Sequence, residues 1–286
     1  MTLETCQLTH ECIRELRCIV NSVQSEQEAY LPQLGGYLRK SLDRYAAQPC
    51  ILVPLAKYFA AHEQRLIAAE NIIRHIGTIL EIYLQVRWHE LEVRTEADPQ
   101  RTHGTGENPL HIDFVSRSHP PECIGFLVDR PDPCGGGETL LADFAAALGK
   151  LGGHHRATLE MPSFRYWADQ DVCEVGEVLS MFPMLESGNT QVARFTSKML
   201  QHFENEDSIR FVYADADPDV SHRAHEALCA FRDILVQQTV SWPLAAGDLL
   251  IFNQRRIAHG RAALGPGQQA VPPGLRRHFS QIYFNL

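Results

Sequence analysis

Residues 247–261, GDLLIFNQRRIAHGR, indicate the fold class of this chain. The run DLLIFN at 248–253 is short, apolar and aromatic and follows a glycine, which is typical of a buried strand. After the polar turn QRR, the segment IAHG at 257–260 predicts a second strand that carries His259.

The same kind of pattern recurs on both sides of this pair. β-Branched and aromatic residues predict further strands at 78–86, 87–95, 110–115, 122–128, 139–143 and 276–284. Helical spacing or capping predicts helices at 62–76, at 144–151 after the cap Asp143, and at about 220–238. Helices first and short strands later, without βαβ alternation, predict a mainly β fold with helical decoration, as an antiparallel sandwich or barrel.

No repeat, low-complexity tract or long linker divides the chain. We therefore expect a single domain over 1–286, in which a mostly helical N-terminal part at 1–77 packs on a β core at 78–286. Residues 160–190 show no clean period and are a candidate lid, because long irregular segments are often functional.

Composition limits the partners. The 35 acidic and 26 basic residues give a formal charge of −9, which argues against nucleic acid or an anionic membrane as the main partner. No basic, apolar leader and no long apolar run is evident, so the expected location is the cytoplasm. The eight cysteines form no C-x-x-C pair and are expected to be reduced and mostly buried. Nothing in the sequence indicates an oligomeric state.

The triplet His111-Ile112-Asp113 carries the candidate chemistry. If it lies in a strand, residues i and i+2 share a face, so an imidazole and a carboxylate converge. One further histidine would complete two histidines and one carboxylate on one side of a metal, the arrangement of non-haem iron(II) oxygenases. The pattern alone is weak, because 14 histidines produce such a pair by chance, and His202-Phe203-Glu204 is a second one that we expect to face solvent.

Two other features have ordinary interpretations. The glycine run at 135–137 lacks the Lys-Ser/Thr pair and the helix of a phosphate loop, so we expect it to form a tight connection between strands. His154 and His155 follow two glycines in a predicted loop, where surface positions are more common than metal ligation.

Taken together and in order, four motifs resemble the 2-oxoglutarate oxygenases of the taurine dioxygenase and clavaminate synthase group. The motifs are LHID at 110–113, GGGETLLAD at 135–143, GDLLIFNQRRIAHGR at 247–261 and RRHFSQIYF at 276–284. The resemblance covers roughly residues 105–286 and implies a double-stranded β-helix, or jelly-roll, core. It implies that His111, Asp113 and His259 bind iron(II), and that Thr139 and Arg277 hold the distal carboxylate of 2-oxoglutarate.

The chemistry of the residues agrees with this implication, since a guanidinium binds a carboxylate bidentately and a hydroxyl adds a hydrogen bond. Arg276 is the competitor of Arg277; neighbours in a strand face opposite ways, so only one can enter the core, and the resemblance favours Arg277. Relatives often carry a second arginine four residues later, where this chain has Gln281. The substrate-contact candidates are Gln281, Arg194, Glu107 and Asn108.

The resemblance implies an enzyme that uses iron(II), 2-oxoglutarate and O2, and that hydroxylates a C–H bond of a free amino acid or small polar metabolite. Desaturation or ring formation is the alternative outcome of the same oxidation, in place of hydroxylation. Two alternatives stay open: a zinc hydrolase with the same three ligands, and a binding module without turnover. A zinc hydrolase would have no use for Arg277.

Overall fold

The computed structural model describes residues 4–21, 31–43, 49–82, 86–99, 101–166, 176–187, 192–201 and 218–286. Its strands are β1 (Glu4–Thr5), β2 (Cys50–Pro54), β3 (Thr78–Leu80), β4 (His89–Glu92), β5 (Asn108–His111), β6 (Cys123–Arg130), β7 (Thr139–Asp143), β8 (Val240–Trp242), β9 (Asp248–Asn253), β10 (Ile257–Arg261) and β11 (His278–Asn285). Its helices are α1 (His10–Val20), α2 (Pro32–Leu42), α3 (His62–Ile76), α4 (Phe144–Leu148), α5 (Gly153–Leu159), α6 (Lys198–Gln201) and α7 (Pro218–Gln237). The prediction of a mainly β fold with helical decoration is confirmed.

The strands form two sheets. The larger has the order β1-β2-β9-β6-β11-β3, with β4 also paired to β11, and the smaller has the order β5-β10-β7-β8. All pairs are antiparallel except β1 with β2. The turn between β9 and β10 therefore links the sheets, because β9 lies in the larger sheet and β10 in the smaller.

Alternation along the strands divides the core into layers. In β6, Ile124, Phe126 and Val128 pack between the sheets, whereas Cys123 and Leu127 face the N-terminal helices. In β10, Ala258 faces away from the space between the sheets and joins the apolar cluster formed with α4, α5 and α7. A strand with both faces buried has an apolar side chain at nearly every position, which is why DLLIFN shows no polar alternation.

The N-terminal part does more than cover the sheet. Its helices pack on the outer face of the larger sheet through Leu38, Ile72 and Ile73, which are fully buried. Strand β2 is also paired with β9 over five positions, from Cys50 to Pro54. No strand before residue 78 was expected from the sequence, because CILVP is short and ends in proline.

Several sequence predictions need correction. The strand predicted at 110–115 ends at His111, and a turn follows. The strand predicted at 78–86 ends at Leu80 within the described residues. His154 and His155 lie in helix α5 and not in a loop, because this helix packs on α7 and buries Thr158 and Leu159. Gly152 is the N-cap and Gly153 the first residue of this helix, and tertiary packing outweighs the low helix propensity of Gly153.

Other expectations keep the status of predictions. His202 and residues 167–175 and 188–191 lie outside the described residues, so the solvent exposure of His202 and the lid at 160–190 stay untested. Neither helix nor extended strand occurs in the described parts of that segment, 160–166 and 176–187. Asp143 caps α4 as predicted, since its Oδ1 accepts a hydrogen bond from Ala145 N at 2.8 Å.

Candidate metal centre and cavity

Three predicted ligands meet at the open end of the space between the sheets. His111 ends β5, His259 lies in β10, and Asp113 follows His111 by two residues. Their donor atoms lie within 4.8 Å of one another, and within the described part of the chain no other group of histidine, cysteine and acidic side chains has this property. His111 Nε2 is 3.4 Å from Asp113 Oδ1, and His259 Nε2 is 3.7 Å from Asp113 Oδ2.

A bulge in β5 brings two side chains to this site. His259 is paired with His111 and Arg261 with Asn108, so four residues of β5 lie opposite three of β10. Residues directly opposite in an antiparallel pair share a face, and the extra residue of a bulge shifts the alternation. His111 and Asn108 therefore both face the cavity, although a regular strand would send them to opposite sides.

Asp113 reaches the site from a turn and not from a strand. Its backbone N–H donates to Gln254 Oε1 at 2.8 Å, while Gln254 Nε2 donates to Pro121 O at 2.7 Å. The next residue, Phe114, has a φ of 58°, an uncommon conformation for a bulky side chain. The fully buried Gln254 thus holds the turn that orients the carboxylate.

Two donors from β11 fix this carboxylate. Gln281 Nε2 and Tyr283 OH donate to Asp113 Oδ2 at 3.0 and 2.8 Å. Burial alone would raise the pKa of Asp113, but His259, His111 and the Tyr283 hydroxyl outweigh it and hold that pKa well below its usual range. The group is therefore a carboxylate at neutral pH, as a metal ligand must be.

The histidines have the protonation that a metal requires. His111 Nδ1 lies 2.8 Å from the carbonyl oxygen of Pro109, an acceptor that places the proton on Nδ1 and leaves the Nε2 lone pair free. Burial, followed by the charge of His111, lowers the pKa of His259 to about 3, so this ring is neutral at physiological pH. The donor set, two imidazoles and one carboxylate, fits iron(II).

A cavity of about 620 Å³ extends from these ligands, and Arg277 lies in its wall. The Arg277 side chain is buried, its guanidinium carbon stands 3.6 Å from the centroid of Phe279, and its Nε has no hydrogen-bond partner among the described residues. Burial and then the like charge of Arg261 lower the pKa of Arg277 to about 9. Asp132 favours the charged form of Arg277, but no acidic group among the described residues forms an ion pair with it. A buried cation without a bonded counter-ion is costly, so this position favours an anionic ligand.

Residues around Arg277 complete the anion-binding wall. Thr139 in β7 is buried and also lines the cavity. Gly137 has a φ of +65°, and a Cβ there would lie 3.3 Å from Arg277 Cδ and 2.6 Å from Leu264 Cδ2. The glycine run therefore lets the connection from β6 to β7 pass close to the arginine, in agreement with the predicted tight connection.

The four residues predicted to contact the substrate lie in different parts of the structure. Asn108 and Gln281 line the cavity, and Asn108 Oδ1 is buried without a hydrogen-bond partner in the described chain. Glu107 lines a different cavity, beside Leu110 and Arg232. Arg194 does not line the main cavity, because its guanidinium donates to the carbonyl groups of residues 115, 117 and 118.

The strand predicted at 276–284 begins at His278, so Arg276 and Arg277 lie just before β11, yet they point apart as the predicted alternation requires. Arg276 Nε donates to Val271 O at 3.1 Å, outside the cavity that Arg277 lines. Arg277, Phe279, Gln281 and Tyr283 all line the cavity at alternate positions.

Sequence reasoning missed Tyr283 and Arg261. Alternation counted from Arg277, which directly precedes β11, could have identified Tyr283, since both side chains line the cavity. Arg261 follows His259 by two residues in β10 and donates to the carbonyl groups of Thr102 and Gly106. It thereby holds the 101–106 loop at the cavity wall, a contact that no local pattern indicates.

Solved structures share this architecture. A structure of asparagine oxygenase in complex with Fe(II), 2S,3S-3-hydroxyasparagine and succinate aligns with a TM-score of 0.72 at 16% identity, over 100% of this chain and 94% of that chain. The non-haem iron oxygenase OrfP in complex with Fe and alpha-ketoglutaric acid aligns with a TM-score of 0.71 at 12% identity, again over 100% and 94%. PvcB from Pseudomonas aeruginosa aligns with a TM-score of 0.59 at 18% identity, over 88% and 80%. These likenesses confirm the predicted double-stranded β-helix core.

Sequence comparison gives the family directly. No curated protein matches the chain significantly. Among the described helices, none is long and apolar enough to cross a membrane. The model of one protein family, described as taurine catabolism dioxygenase TauD, TfdA family, matches residues 61–283, which is most of the chain. The chain therefore belongs to the TauD/TfdA dioxygenase family.

Proposed function

We propose that this chain is an iron(II)- and 2-oxoglutarate-dependent oxygenase that hydroxylates a C–H bond of a free amino acid or small polar metabolite. One observation carries the proposal: two histidines and a carboxylate stand in the same cavity as a buried guanidinium whose Nε has no hydrogen-bond partner in the described chain. A zinc hydrolase would use the three ligands but would leave Arg277 without a purpose.

Each residue has a role in this proposal. His111, Asp113 and His259 would hold the iron, while Arg277 and Thr139 would hold the distal carboxylate of 2-oxoglutarate. When bound, iron and 2-oxoglutarate supply, with O2, the oxidising power for hydroxylation. The rings of Phe126 and Phe252, with centroids 5.9 and 5.2 Å from that of His259, keep water away from the ligands.

The amino-acid substrate is supported by the cavity and by the solved relatives. Structures of relatives contain 2S,3S-3-hydroxyasparagine or (3S)-hydroxy-L-Arg. In this chain the cavity of about 620 Å³ has room for a small molecule beside the co-substrate. Asn108 Oδ1 can accept a hydrogen bond from an ammonium group there, because no described residue donates to it.

Substitution of Arg277 tests the co-substrate. Arg277→Gln removes the charge at nearly the same size and is expected to raise the Kd of 2-oxoglutarate about 10- to 100-fold, since a hydrogen-bonded charge contributes roughly 1.5–3 kcal/mol. Iron(II) affinity should stay within about twofold, because no metal donor atom is removed. Equilibrium dialysis with labelled 2-oxoglutarate measures the first quantity and a chelator competition the second.

The matched control is Arg276→Gln, which removes the same charge from the neighbouring residue outside the cavity and should leave both constants unchanged. Equal 2-oxoglutarate affinity in Arg277→Gln and the wild-type protein would contradict the proposal. Succinate release that requires iron(II), 2-oxoglutarate and an amino acid, and that zinc does not support, is the expected result of the corresponding activity assay.

A further inference from the structure

His278 lies on the outer face of the larger sheet, opposite to the cavity. It begins β11, and its side chain points away from Arg277 and Phe279, the cavity-lining residues on either side of it in the chain. Its Nε2 lies 2.5 Å from Glu90 Oε2 in β4, and its Nδ1 lies 3.2 Å from Asp129 Oδ2 in β6. The ring therefore stands between carboxylates from the two strands that flank the start of β11.

Two carboxylates on one imidazole determine how many protons the ring needs. A carboxylate only accepts hydrogen bonds, whereas a neutral imidazole carries one N–H and a lone pair on its other nitrogen. A neutral ring would therefore turn a lone pair toward one of the two carboxylates. Both contacts are favourable only when each ring nitrogen carries a proton, which makes His278 an imidazolium. Because the side chains of His278 and Asp129 are only 16% and 17% exposed, solvent weakens this pair less than a pair on the open surface.

Further charged groups surround the ring. Asp129 also contacts Arg130 Nη1 at 2.6 Å and His62 Nδ1, at the start of α3, at 3.2 Å. Glu92 of β4 and Arg130 of β6 are directly paired with His278 in the sheet. Within the described part of the chain, three carboxylates, one guanidinium and one other imidazole thus face the ring from β4, β6 and α3. The carboxylates outnumber the guanidinium, so a positive charge on His278 is balanced.

The same cluster holds the backbone around Arg277. This arginine precedes β11, so the regular strand begins only after it. Arg130 Nε donates to Arg276 O at 3.1 Å, and Val93 N donates to Arg277 O at 3.3 Å. With the His278 ring held between its two carboxylates, the residues before and after Arg277 are both fixed by side chains of the cluster. A guanidinium that binds an anion needs such support, because a binding group must be held to within about 0.5 Å of its working position.

We propose that His278, as an imidazolium between Glu90 and Asp129, positions Arg277 for 2-oxoglutarate, so that loss of the ring proton weakens binding of the co-substrate. This inference rests on the proposed oxygenase function and adds a residue outside the cavity on which the co-substrate site depends. His278 is a positioning residue, because it does not line the cavity and acts through its neighbour Arg277. Histidine is the side chain whose charge changes near neutral pH, so the effect is expected between about pH 6 and 8.

The test compares wild-type protein, His278→Gln, His278→Lys and the control His222→Gln, each saturated with iron(II) without oxygen. Glutamine is neutral at every pH, whereas lysine keeps a positive charge throughout the range. His222 is the matched control, because its Nε2 lies 3.2 Å from Glu226 Oε1 on α7, the helix that covers the smaller sheet. Equilibrium dialysis with labelled 2-oxoglutarate gives the Kd of each protein at about pH 6, 7 and 8.

At the acidic end, His278→Gln is expected to bind 2-oxoglutarate roughly 3- to 10-fold more weakly than the wild-type protein, as for loss of a partly buried ion pair. The ratio of the two Kd values should shrink toward the alkaline end, because the wild-type ring then loses its proton. Changes common to both proteins, such as protonation of the metal ligands, cancel in this ratio. His278→Lys should match the wild-type protein at the acidic end and bind more tightly at the alkaline end. His222→Gln should match it throughout.

Glu90→Gln gives an independent variant at a side chain that is 55% exposed, where the fold tolerates substitution. Glu90, at the edge of the sheet, also lines the cavity, so loss of its charge would by direct electrostatics strengthen binding of the 2-oxoglutarate dianion. The positioning role predicts the opposite, a loss of about threefold at the acidic end. The direction of the change therefore separates the two effects.

Any of three results would overturn the inference: a Kd ratio for His278→Gln that is near one or does not change with pH, a His278→Lys variant that binds no better than His278→Gln, or unchanged or tighter binding in Glu90→Gln. Urea denaturation shows that each variant is folded under the conditions of the assay. Failure of the oxygenase function itself looks different, because the wild-type protein would then bind no 2-oxoglutarate at any pH, and the role of His278 would fall with it.

Discussion

At the residue scale, the two oxygens of Asp113 have different surroundings. Oδ2 accepts from Gln281 and Tyr283, whereas Oδ1 points to His111 Nε2 at 3.4 Å. The two donors leave Oδ1 as the oxygen that is free to bind a metal. Gln281 was predicted as a substrate contact, but its amide hydrogen-bonds the Asp113 carboxylate and orients this metal ligand.

Tyr283→Phe tests this orientation by removing one hydroxyl from the buried strand. We expect iron(II) affinity to fall about 10-fold, the lower end for loss of a hydrogen bond to a metal ligand, measured by chelator competition. Tyr58→Phe is the control, because the Tyr58 hydroxyl bonds Gln7 and the Leu8 backbone, far from the site in the larger sheet's helical layer. Equal metal affinity in both variants would show that Tyr283 does not position Asp113.

At the element scale, β11 shows how far the sequence predicts the site. Alternation in RRHFSQIYF separates Arg276 from Arg277 correctly although β11 begins only at His278, because the two-residue period is local information and continues into the residues just before the strand. The position of Asn108 could not be predicted, since it depends on a bulge that is defined only by the pairing with β10. Asp113 was assigned to a strand, yet its orientation comes from Gln254, 141 residues away. Contacts between residues so far apart in the chain leave no local pattern in the sequence.

The connection between β6 and β7 gives a prediction about stability. Gly137 and Gly135 both have positive φ, of 65° and 74°, but a Cβ at Gly137 meets Leu264 at 2.6 Å and one at Gly135 meets nothing within 4 Å. Gly135→Ala should cost roughly 1 kcal/mol from backbone strain alone. Gly137→Ala should cost about 1–3 kcal/mol more, because overpacking adds to the strain.

Urea denaturation measures the free energy of unfolding of both glycine variants. Gly137→Ala is also expected to weaken 2-oxoglutarate binding, because its Cβ would lie 3.4 Å from Arg277 Nε. Equal stability of the two variants would mean that the connection moves freely away from Leu264, and that the close approach is not required.

At the scale of the whole molecule, the layers share their strands. One apolar cluster joins the N-terminal helices to the larger sheet, and another joins α4, α5 and α7 to the smaller sheet. A third cluster fills the space between the sheets and reaches Phe126 and Tyr283 at the site. Because β6, β9 and β11 contribute to both the first and the third cluster, the N-terminal part and the core should not unfold independently.

Substitutions in the two outer clusters test the prediction that residues 1–286 behave as one domain. Ile72→Ala in α3 and Leu228→Ala in α7 each empty a fully buried position and should each cost about 2–5 kcal/mol. If the clusters are coupled through the sheets, both variants shift the same single transition in urea, and far-UV circular dichroism and tryptophan fluorescence coincide. Val236→Ala, at a position 57% exposed on α7, controls for helix propensity and should stay within about 0.5 kcal/mol. Two transitions, one moved only by Ile72→Ala and the other only by Leu228→Ala, would show instead that the helical N-terminal part unfolds as a separate unit, even though β2 is hydrogen-bonded into the sheet.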